Sequence, residues 1–107
     1  MSRFSDVVER LTRVIESRRG SDPSTSWSAR LTADPVLAAK KLAEEALEAS
    51  LAAIQGDKKG LAAESADLIY HWLAVLAGAG VTLDDVAGAL ESREGRPGIE
   101  EKANRPR

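Results

Sequence analysis

The sequence predicts an all-α domain, a four-helix bundle-like subunit, and three observations carry the prediction. Apolar residues recur at three- and four-residue spacing in separate stretches, and Gly, Pro, Ser and Asp gather between those stretches. No stretch alternates apolar and polar residues as a half-buried strand does.

The first helix spans about 4–18, where Phe4, Val7, Val8, Leu11, Val14 and Ile15 form one apolar stripe and Ser5 and Asp6 are candidate caps. The stretch RRGSDPSTSWSARLTADP then reads as a long loop, because its Gly, Ser, Thr, Asp and Pro residues compete with regular structure. Loops of that length are uncommon in small domains and are often functional, so this one, with Trp27 and Arg30 in it, is a candidate lid. A second helix over 35–55 starts well, since Asp34 can accept from free amides and Pro35 gives up no bond at the first helical position. Gly56 and Asp57 close it. The third helix, 58–78, is apolar around most of its circumference and is expected to be largely buried. Gly78 and Gly80 end it, and Thr82 with Asp85 three residues on gives a capping-box-like start to a fourth helix over 83–93. The remainder, 94–107, reads as an extended tail.

A chain of 107 residues fits one domain, 1–107, whose modest buried fraction favours partnering with a second copy. With 15 basic against 17 acidic residues the net charge is −2, too little positive field to hold a polyanion, so nucleic acid is not an expected partner. The chain has 0 cysteines, which leaves oxygen and nitrogen as the only metal ligands. Charges interrupt the apolar runs at the N-terminus, so neither a signal peptide nor a membrane span is expected there, and the cytoplasm is the expected location.

The chemistry lies in acids. In KKLAEEALEAS, Glu44, Glu45 and Glu48 share a helix side at about 100° per residue. Glu64 and Asp67 form a second pair inside the most apolar helix, where an unpaired charge is costly to bury. An antiparallel packing of the two helices across the short connection near Gly56 would bring the carboxylates face to face as an all-oxygen cation site. Hard oxygens suit magnesium, with manganese as a second choice, and both suit phosphoryl or nucleotidyl transfer to water. The competing reading makes these acids the solvated face of amphipathic helices, with pairs such as Lys41 and Glu45. His71, four residues after Asp67, shares the acid face, whereas Tyr70 and Trp72 read as core or interface residues.

The segments KKLAEEALE and ESADLIYH resemble the EExxE and ExxD signature of the MazG-like all-alpha nucleotide pyrophosphohydrolases, with 15 residues between Glu48 and Glu64. The SWSARL loop, the DLIYHWLAVLAGAGVTLDDV run and the REGRPGIEEKANR tail are similar to the phosphoribosyl-ATP pyrophosphatase branch, over roughly residues 4 to 105. That resemblance implies hydrolysis of phosphoribosyl-ATP to phosphoribosyl-AMP and pyrophosphate, the second step of histidine biosynthesis, on a dimeric helical bundle with magnesium. It implies Glu44, Glu45, Glu48, Glu64 and Asp67 as the metal set. Glu45, Glu48, Glu64 and Asp67 would be catalytic, with Glu45 the one to orient water. Trp27, Arg30, Lys41, His71, Lys102 and Arg105 become the candidate contacts to the nucleotide. Two other functions stay open: a house-cleaning pyrophosphatase acting on another nucleotide, and a helical interaction module without catalysis.

Overall fold

The computed structural model describes residues 2–95, and within them the chain is all-α, with no strand. The helices are α1 Arg3–Arg18, α2 Trp27–Ala33, α3 Pro35–Ile54, α4 Lys58–Ala79 and α5 Leu83–Glu91. Each opens on a side-chain cap: Ser2, Ser26, Asp34, Asp57 and Thr82 accept a backbone N–H of the first turn. The cap of α1 is therefore Ser2, one residue before the helix, and not Ser5 or Asp6. At α5 the Thr82 hydroxyl and the Asp85 carboxylate exchange bonds with each other's backbone amides at 3.0 and 2.9 Å. Those bonds hold the Asp85 carboxyl below its ordinary range.

One expectation is corrected. The segment read as a long loop contains α2, because Ser26 caps a run free of Gly and Pro that places Ala29 and Leu31 in the core, each 1% exposed. The buried anchors override the Ser and Thr content around them, and a helix so anchored is not a loose lid. Another expectation holds for only part of its helix. The buried residues of α4 are His71, Leu73, Ala74 and Ala77, all in its C-terminal half, while Ala62, Ala63, Ala66 and Asp67 are exposed.

The most extensive packing is between α3 and α4, joined by a connection of Gln55, Gly56 and Asp57 in which Gly56 takes φ 71° to turn the chain back. Small residues let the two helices approach, with Ala38, Ala49 and Ala52 buried on α3. Two apolar clusters flank the pair. Ile15, Leu73 and Ala77 pack with Val8, Leu11, Ile69, Tyr70, Trp72, Leu76 and Leu83, so Tyr70 and Trp72 serve the core. Leu31, Ala38 and Ala74 form the second cluster and seat α2 in the angle between α3 and α4. No single helix among the described residues is long and apolar enough to cross a membrane.

Candidate active site

The face of α3 that packs on α4 is set by its alanines. Ala38, Ala49 and Ala52 are the buried residues, and Glu45 falls in the same stripe, seven residues after Ala38 and four before Ala49. Glu48 lies one turn further along. Across from them α4 presents Glu64, and one oxygen from each of Glu45, Glu48 and Glu64 lies within 4.8 Å of the others. Three of the five acids singled out in the sequence are thus brought together.

The electrostatics of this group are incomplete as they stand. Glu45 Oε2 and Glu64 Oε2 are buried atoms with no hydrogen-bond partner. Ionised carboxylates only accept, so three of them cannot satisfy one another, and either a proton or a cation must supply the missing positive end. With a proton, Glu64 can donate to Glu48. That bond, together with burial and repulsion from Glu48 and Glu45, pushes the Glu64 carboxyl up to about 7. With a cation the oxygens become ligands. Magnesium takes its ligands at about 2.0–2.1 Å, which puts neighbouring ligand oxygens roughly 3 to 4 Å apart, a spacing that modest side-chain rotation reaches from the observed one. The donor set, all hard oxygen, fits magnesium or manganese.

The other acids are placed differently. Glu44 accepts from Lys41 Nζ at 3.2 Å, about 100° around α3 from Glu45. Asp67 is exposed one turn beyond Glu64, and its carbonyl oxygen lies 2.8 Å from His71 Nδ1. Alanines stand all round α3, with Ala39, Ala43, Ala46 and Ala53 besides the buried three, so spacing in the sequence does not distinguish Glu45 from Glu44.

Of the residues proposed to touch a nucleotide, three come together. Trp27, Arg30 and His71 meet where α2 crosses α4: the Trp27 indole N–H donates to His71 Nε2 at 3.4 Å, and the Arg30 guanidinium lies 5.6 Å from the Trp27 ring centroid. His71 is buried, with Tyr70 edge-on at 5.1 Å between centroids. Sequence reasoning missed Ser28, whose hydroxyl is 2.6 Å from that of Tyr70 and fastens α2 a second time. Lys41 occupies the Glu44 pair on α3. Lys102 and Arg105 lie outside the described residues. An apolar cleft of about 360 Å³ opens at the far end of α4, lined by Thr12, Leu73, Leu76, Ala77, Val81 and Leu83 among others, and none of the clustered acids reaches it.

Comparison with known proteins gives one consistent result. A family described as phosphoribosyl-ATP pyrophosphohydrolase matches residues 8–94. A phosphoribosyl-ATP pyrophosphatase of Caulobacter vibrioides is 58% identical over 103 residues, covering 96% of each chain. Proteins of the same name from Cereibacter sphaeroides and Paracoccus denitrificans are each 50% identical, over 100 and 99 residues. The first alignment covers 92% of this chain and 97% of the relative, the second 92% of each.

Proposed function

The chain belongs to the phosphoribosyl-ATP pyrophosphohydrolase family, and from that premise we propose how its own residues carry out the reaction. It hydrolyses phosphoribosyl-ATP to phosphoribosyl-AMP and pyrophosphate, a step of histidine biosynthesis, with Glu45, Glu48 and Glu64 holding a magnesium ion or, in its place, manganese. One observation carries the metal reading: two buried carboxylate oxygens in a three-acid group lack any donor. Exposed acids on a solvated helix face, or acids serving only a protein interaction, would have no reason to be held in that state.

Bound there, the cation supplies charge neutralisation at the phosphate oxygens and a more acidic attacking water. The chain does the rest. Glu45, Glu48 and Glu64 would hold the ion, and a carboxylate oxygen of the group not engaged with it would accept the proton of the water. That water forms the new bond to the α-phosphorus, and the bond to the bridging oxygen breaks with its electron pair leaving on pyrophosphate. Asp67, exposed one turn past Glu64, adds negative charge at the open edge of the group. Lys41, one turn before Glu44 and Glu45 on α3, and Arg30 on α2 bring positive charge to the phosphates. Lys102 and Arg105 are assigned the same task by their place in the EKANR segment.

The proposal extends to a homodimer in the cytoplasm. Leu47, Leu51 and Ile54 are 60%, 46% and 81% exposed on α3, at four- and three-residue spacing beside Glu48. A second copy covering that stripe would bury it next to the acids.

Pyrophosphate release from phosphoribosyl-ATP, with dCTP, dUTP and ATP alongside, tests the reading, each with magnesium and with excess chelator. Magnesium-dependent release from phosphoribosyl-ATP well above the others is the expected result. Release chiefly from another nucleotide would move the chain to the house-cleaning type, and release unaffected by chelator would overturn the metal reading.

A further inference from the structure

The first turn of α2 is fastened to α4 at two consecutive residues, 70 and 71. Ser28 bonds Tyr70, and Trp27 bonds His71. His71 uses its other ring nitrogen on its own helix, with Nδ1 2.8 Å from the carbonyl oxygen of Asp67. An indole N–H can only donate and a carbonyl oxygen can only accept, so a single arrangement satisfies both contacts: the proton sits on Nδ1 and the lone pair on Nε2. The Asp67 carbonyl places the proton on Nδ1, and the Trp27 N–H, donating to the bare Nε2, holds the ring from its other side. Arg30 over the Trp27 ring and Tyr70 edge-on to the imidazole hold the two rings in that relation.

The far end of this chain of bonds is the acid segment. In an α-helix the carbonyl of Asp67 receives the backbone N–H of residue 71, so the imidazole adds a second donor from the same residue. Tied twice, that carbonyl is kept from tilting out toward water, and the turn carrying Asp67 is held in one conformation. Asp67 is three residues beyond Glu64, on the same side of α4.

We propose that Trp27 is a positioning residue for the carboxylate group, acting through its bond to the His71 ring to hold the turn of α4 that bears Asp67. The inference rests on the carboxylate chemistry proposed above. It makes α2, which holds none of the acids, part of the machinery.

The chain contains 1 histidine, so protein labelled with ¹⁵N-histidine gives one pair of imidazole signals and an unambiguous tautomer. The wild type is expected to show a protonated Nδ1 and a bare Nε2 at pH 8. Trp27→Phe keeps an aromatic ring and removes the N–H. It should keep the proton on Nδ1 but move the Nε2 signal toward that of an unbonded lone pair, lower kcat about tenfold with KM held within about twofold, and raise the magnesium midpoint measured by thermal shift. Ser28→Ala removes the neighbouring bond between the same two helices and keeps the Trp27 donor, and should move the Nε2 signal and kcat far less than Trp27→Phe does. A wild-type proton on Nε2 overturns the proposal. So do equal losses of kcat in both variants, which would mean that α2 docking alone matters, or a rise in KM alone in Trp27→Phe, which would mean a substrate contact. If the wild type hydrolyses nothing with magnesium, the functional reading fails instead, and the Nε2 signal with the magnesium midpoint decides the positioning role on its own.

Discussion

Glu64 on α4 faces Glu48 on α3 so closely that hydrogen bonding between the two carboxyls is the leading cause that pushes the Glu64 carboxyl up to about 7. The sign of the consequence follows from linkage. An acid raised from 4.5 binds more protons folded than unfolded between those values, so its stabilisation is complete below about 4.5 and is lost as pH rises through about 7. Asp22 and Asp85 are both lowered from 3.8 and titrate below this window. The metal-free protein should therefore melt lower at pH 8 than at pH 5.5, and Glu64→Gln should flatten that difference. Magnesium should reverse it, because proton and cation compete for the same oxygens. Thermal melts at the two pH values, with chelator and with magnesium, check this; equal magnesium shifts at both would show that the ion binds elsewhere.

Replacing any one of Glu45, Glu48 or Glu64 by Gln should separate activity from stability. Each substitution removes a ligand oxygen's charge, and losing several kcal/mol of charge stabilisation corresponds to a fall of about a hundredfold or more in magnesium-dependent release. Each also removes like-charge repulsion from a crowded group, so the metal-free variants should melt at or above the wild type at pH 8. Activity lost together with a large drop in melting temperature would mean that these acids hold the helices together rather than a cation.

The exposed stripe of α3 makes a separate prediction. Leu51→Glu places a charge amid Leu47 and Ile54, where a second copy is proposed to pack, at a position 46% exposed in its own chain. Sedimentation should show the wild type as a dimer and the variant as a monomer with unchanged helical content. A wild type that sediments as a monomer at micromolar concentration would remove the dimer from the proposal.

Much of this arrangement could be read from residue spacing, because helical periodicity decides which side chains share a face. The acids of α3 and α4, the Asp34 and Pro35 start and the Thr82 cap all follow from such local rules. What spacing alone left open was the roll of α3 about its axis. That roll depends on how closely Ala38, Ala49 and Ala52 let α4 approach, and it turns Glu45 inward and Glu44 toward Lys41. The α2 segment was hidden for a related reason. Its Ser and Thr content argues for a loop, and only the burial of Ala29 and Leu31 between α3 and α4 tips it to a helix.

Two glycines near the end of α4 give opposite tests of local and tertiary control. Gly80 takes φ 72° at the C-cap, and a Cβ there would meet nothing within 4 Å. Its substitution is a matter of backbone conformation alone. Gly80→Ala should cost about 1 kcal/mol and Gly80→Asn less, since Asn tolerates the left-handed region. Gly78 is inside the helix, where Ala is favoured by about 1 kcal/mol, but its Cβ would come 3.1 Å from the carbonyl oxygen and 3.4 Å from the Cα of Thr32. Those are backbone atoms of α2, which the Trp27 and Ser28 bonds hold in place, so the contact cannot be relieved by turning a side chain. Gly78→Ala should therefore melt below the wild type despite its better propensity, and adding Ser28→Ala should make up part of the loss by letting α2 retreat. If Gly78→Ala melts above the wild type, α2 yields more readily than its two bonds to α4 imply.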